Sequence, residues 1–101
     1  MFFTPIAFYK KSTTTAAPTS YQWIFTTGFS TKLSACNAIP GAQFLWSISP
    51  SLGVGVPLYT DSATTLLFNG NNLYYQEEST VFSGQISTSG VIQSNWSACL
   101  V

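Results

Sequence analysis

The chain reads as an all-β protein: a small antiparallel sandwich or barrel-like domain with an extended N-terminal arm. Three observations carry this expectation. Apolar and β-branched residues alternate with a period of two in several short runs. Gly, Pro and Asn clusters punctuate those runs at close spacing. No window shows a 3.6-residue apolar period. At 101 residues the chain holds one domain plus an arm. A domain of this size buries roughly 65% of its unfolded surface, enough for a modest core.

The elements follow in order. The run "MFFTPIAFY" is an apolar arm whose Phe2, Phe3, Phe8 and Tyr9 cannot bury one another on so short a segment. It has to pack on its own domain or on a neighbour. A signal peptide would place its basic residues before the apolar run. Here Thr4 and Pro5 break the run and Lys10 and Lys11 follow it, so we expect a chain mature from Met1 with no export signal. "KSTTTAAPTS" is small, polar and Pro-containing, and reads as a linker. Residues 1–20 are thus assigned to arm and linker, and residues 21–101 to a single β domain.

"YQWIFTT" (21–27) alternates as a strand until Gly28, and "STKLSAC" (30–36) alternates weakly as a second. "IPGA" (39–42) is a turn, and "QFLWSI" (43–48) a compact apolar strand. "SPSLGVGVP" (49–57) carries two Pro and two Gly and reads as loop or irregular edge, since Pro57 lacks a ladder donor. "LYT" (58–60), "TTLLF" (64–68) and "LYY" (73–75) are short β runs. "NGNN" (69–72) between the last two carries the Asn-Gly signal of a hairpin. "TVFSGQI" (80–86) is a strand with a bulge expected at Gly84, "STSG" (87–90) a turn, and "VIQSNWSAC" (91–99) the last run. The sum is eight or nine short strands.

Charge is the anomaly. Charged residues make up 6% of the chain, with no Arg and no His. An average soluble protein has about 25%. Disorder would explain low charge only with few aromatics, and aromatics here are 16%. A membrane span needs about 20 apolar residues, and no run approaches that. Two explanations stand: a surface largely covered by partners, or an ordinary Ser/Thr/Asn-rich one. Nucleic acid is excluded as a partner because backbone binding needs clustered Lys and Arg.

Residues 59–99 resemble a small Cys-terminated β module found in surface proteins of Bacteroidetes bacteria and in virion proteins of their phages. The resemblance rests on Tyr59–Ser62, on Thr64, Thr65, Phe68 and Gly70, on the Tyr74–Tyr75 pair, on Ile86–Ile92, and on Ser97 with Cys99. It implies no transferable chemistry. It does imply a stand-alone structural virion protein of a bacteriophage of Bacteroidetes hosts, a minor capsid, penton, spike or tail-fibre component. Such a protein is located in the virion, is assembled in the host cytoplasm, and has itself and other virion proteins as partners. A glycan- or receptor-binding surface module is the alternative, with a host-surface glycan as partner.

The resemblance favours proximity of Cys36 and Cys99. A disulfide between them would close a long loop and contribute about 4 kcal/mol. The other reading is two buried thiols kept reduced by the cytoplasm. Two Cys and no His make only half a zinc shell, so no metal or cofactor is expected. Asp61, Glu77 and Glu78 are the only carboxylates and read as solvated turn charges rather than a glycosidase pair. With no general base beside a Ser or Cys, an enzyme is not expected. Trp23, Trp46, Tyr74, Tyr75 and Trp96, with Tyr21 and Tyr59, are candidates for a subunit interface or a glycan-stacking platform. Adjacent Tyr74 and Tyr75 should face opposite sides. "NWS" (95–97) matches a glycosylation sequon.

Overall fold

The computed structural model describes residues 20–99, so the candidate arm residues Phe2, Phe3, Phe8 and Tyr9 lie outside the described part. The fold is a small antiparallel all-β domain. Its elements are β1 (Tyr21–Phe25), α1 (Lys32–Asn37), β2 (Gln43–Ser47), β3 (Leu73–Glu77), β4 (Phe82–Ile86) and β5 (Ser97–Ala98). They form one sheet in the order β2-β1-β3-β4-β5.

Directly opposed residues of an antiparallel pair share a face. The registers Phe25↔Gln43 and Trp23↔Leu45, Phe25↔Glu77, and Tyr75↔Gly84 and Leu73↔Ile86 therefore define one face. That face is the core. Phe25, Leu45, Tyr75 and Ile86 are buried there beneath Leu58, Ile92 and Trp96 from the irregular segments. Trp23, Leu52, Val56, Phe68, Leu73 and Phe82 pack around them. Trp96 lies between Phe25 and Phe82 at ring-centroid distances of 6.5 and 5.9 Å. Phe68 meets Tyr75 edge-on at 5.4 Å. Irregular chain thus supplies the second layer.

The other face is covered over β3 and β4 by α1, whose Ala35 is fully buried. The Gln76 side-chain amide donates to the Ala35 and Ala38 carbonyls, both at 2.8 Å. The segment expected as a weak strand at 30–36 is therefore mostly helix. Thr31 caps it, accepting from the Ser34 amide at 3.2 Å. A six-residue helix shows too few turns for its periodicity to appear in sequence.

Three further expectations are corrected. Among the described residues the eight or nine strands reduce to five, because "LYT", "TTLLF" and most of the last run make only isolated bridges, such as Tyr59↔Leu67 and Pro57↔Val91. The Asn-Gly turn does not join its two flanking runs. Gly70 and Asn72 donate instead to Ser87 and Ile86 carbonyls, while Asn71 and Asn72 take the positive φ. Gly84 is not a bulge, since the β3–β4 register runs through it unbroken. It is Gly because a Cβ would come within 2.6 Å of the Trp96 Cα.

Cys36 of α1 and Cys99 after β5 are joined by a disulfide, with a Cα–Cα distance of 5.5 Å and a sequence separation of 63. Lys32 Nζ adds bonds to the Ser97 carbonyl and hydroxyl on the same side. The helix is thereby fastened to the far edge of the sheet. Closing a loop this long contributes about 4 kcal/mol. Reduction, or the double change Cys36→Ala and Cys99→Ala, should lower the melting temperature by about 15 °C or more in calorimetry. An unchanged melting temperature would show that α1 docks without its tether.

Candidate interaction face

The part of the outer face that no other described residue covers lies over β1 and β2. Ile24 opposes Phe44, and Gln22 opposes Trp46. Beyond β2 the row continues. Trp46 and Tyr59 exchange backbone hydrogen bonds at 2.9 and 2.8 Å, and Tyr59 is bridged to Leu67. Leu58 and Phe68 point into the core, so their neighbours Tyr59 and Leu67 point out. Ile24, Phe44, Trp46, Tyr59 and Leu67 form one apolar platform across four chain segments. Phe44 is 50% exposed and Leu67 51%. Large exposed apolar patches on small domains mark interaction sites.

Asp61 builds the outer end of this platform. Its carboxylate accepts from the Thr65 and Leu66 amides at 3.0 Å each, and from the Thr65 hydroxyl at 2.5 Å. Those bonds close the 61–65 turn and hold Leu66 against Thr60, which brings Leu67 beside Tyr59. The Thr65 hydroxyl, then the Leu66 amide, hold the Asp61 carboxyl below its ordinary 3.8.

Glu77 behaves differently from the solvated charge expected of it. It is 1% exposed and accepts from the Ser79 amide, the Thr80 amide and the Ser79 hydroxyl at 3.0, 2.8 and 2.8 Å. A buried carboxylate persists where hydrogen bonds replace its water. It organises the β3–β4 turn, while Glu78 is exposed and donates its amide to the Ile24 carbonyl at 2.9 Å.

The candidate aromatics divide between the two faces. Tyr75 and Trp96 are core residues, and Trp23 lines the core with its Nε1 donating to Ser47 Oγ at 2.8 Å. Burial raises the Tyr75 phenol above its ordinary value, and its hydroxyl donates to the Gly70 carbonyl at 3.0 Å. Tyr74 faces the opposite way, and its hydroxyl accepts from Asn95 Nδ2 at 3.3 Å. Only Trp46 and Tyr74 of the five lie on the outer face. Asn95 also bonds Gln85 through its amide oxygen and nitrogen, so the sequon side chain is engaged within the fold. Ile24, Phe44 and Leu67 are missing from the sequence-based candidates. Phe44 and Trp46, two apart around a core Leu45, were the signal that could have found them. Among the described residues there is no ligand-sized cavity, no group of three or more potential metal ligands, and no helix long and apolar enough to cross a membrane.

The depressed Asp61 carboxyl gives a sign. Its stabilisation is complete above pH 3.8 and is lost as pH falls through the lower folded value. Asp61→Ala should speed amide exchange at Thr65 and Leu66 several-fold at neutral pH while Phe25 and Ile86 stay protected. Uniform loss of protection would show that the turn is integral to the core.

No protein-family model matches the chain, and no curated protein or solved structure was found to match it.

Proposed function

We propose that the chain is a structural protein of a bacteriophage virion, from a phage of Bacteroidetes hosts, that works by subunit assembly rather than catalysis. The observation that carries the assembly reading is the apolar platform of half-exposed Phe44 and Leu67 with partly buried Ile24, Trp46 and Tyr59, left open by the described residues. An apolar face of this kind on a chain of zero net charge favours association with neighbours. The phage setting rests on the resemblance of residues 59–99. The Cys36–Cys99 disulfide suits a particle that persists outside the cell, where such bonds are stable. Minor capsid, penton, spike and tail-fibre positions all fit this reading.

A glycan- or receptor-binding module is the second reading. It is favoured by Trp46 standing opposite the exposed amide side chain of Gln22, an aromatic surface beside a hydrogen-bonding group.

Light scattering on the purified full chain across a dilution series separates the two. A fixed closed oligomer is the expected result, since symmetric homo-oligomers are the rule for such subunits. A monomer at every concentration contradicts assembly and moves the platform to the glycan reading.

A further inference from the structure

We propose that the platform over β1 and β2 is the docking surface for the apolar arm, residues 2–9, of a second copy of this chain. This rests on the assembly reading and names its contact. Three observations point to that occupant.

The first is chemistry. The platform residues are uncharged, and so is every residue from Met1 to Tyr9. The arm supplies Phe2, Phe3, Ile6 and Phe8 to a surface whose Phe44 and Leu67 are half exposed. Each apolar side chain buried across such a contact favours binding.

Charge at the rim is the second. Asp61 is spent on its own turn and Glu77 is buried under the β3–β4 turn. Glu78 is exposed, and its amide is bonded to the Ile24 carbonyl at the border of the platform. Lys10 and Lys11, the only basic pair in the chain, follow the arm directly. An arm lying on the platform with its C-terminal end towards Ile24 sets these lysines beside Glu78.

The third is reach. Residues 12–20 separate the lysines from β1. Nine extended residues span about 30 Å. A compact domain of roughly 80 residues has a radius of gyration of about 12 Å, so the linker is as long as the domain is wide. The linker is therefore long enough to carry the arm to the platform of a neighbour, and the exchange experiment separates this from a return to the chain's own face.

The test uses full-length variants in light scattering and analytical ultracentrifugation. The arm variant carries Phe2→Ser and Phe8→Ser. The face variant carries Phe44→Gln, and Glu78→Lys is a second, exposed change at the same border. Each should weaken self-association on the order of tenfold or more relative to the unmodified chain. An equimolar mixture of the arm and face variants should recover a dimer, because one supplies an intact face and the other an intact arm. If the unmodified chain assembles and these variants assemble equally well, another surface mediates assembly and the docking proposal falls while the assembly reading stands. If each variant is dissociated but the mixture recovers nothing, the arm serves its own domain and exchange between copies is overturned. A monomeric unmodified chain overturns both.

Discussion

A sheet has two faces, and among the described residues irregular segments seal only one of them. The core face takes Leu58, Ile92 and Trp96 from connections that carry no regular structure, and burial there is nearly complete. The outer face receives a single helix of six residues, placed over β3 and β4 and tied to Cys99 beyond the sheet's last strand. Everything distinctive about the surface follows. Over β1 and β2 the outer row, apolar apart from Gln22, is left open by the described residues. Small domains bury a smaller fraction of their surface than large ones, so a face left to a partner is a recurring solution.

The few charges of the described residues have definite structural places. Of the three carboxylates, Asp61 and Glu77 accept from backbone amides of tight turns, Asp61 as the solvated turn charge the sequence suggests and Glu77 as a buried acceptor. Lys32 bonds Ser97 at the helix–edge junction. Asp61, Glu77 and Lys32 thus each hold a turn or a junction in place. The turns they hold are the ones that set the platform's outer end and join β3 to β4.

Much of the sheet was legible. "YQWIF", "QFLWS", "LYYQE" and "FSGQI" are strands because their alternation matches a pleated sheet with a buried face, and the opposed directions of Tyr74 and Tyr75 follow from it. What escaped was tertiary. The helix at Lys32–Asn37 depends on the Thr31 cap and on packing of Ala35, which six residues do not announce. The Asn-Gly pair reads locally as a hairpin, yet its neighbours find partners near Ser87 and beyond, so long-range pairing outweighs the local preference. Gly84 reads locally as a bulge and serves instead as clearance for Trp96. The platform was half visible: Trp46 stood out as an aromatic, while Phe44, Ile24 and Leu67 belong to it only through cross-strand register.

The central claim is that the β1–β2 outer face is covered when the protein is in its working state. Hydroxyl-radical footprinting with residue-level mass spectrometry, on concentrated and on highly diluted full-length protein, tests it most directly. Phe44, Trp46 and Leu67 should be as protected as buried Trp96 in the concentrated sample and should become reactive on dilution. Equal reactivity of the three residues at both concentrations, with Trp96 protected throughout, would contradict it.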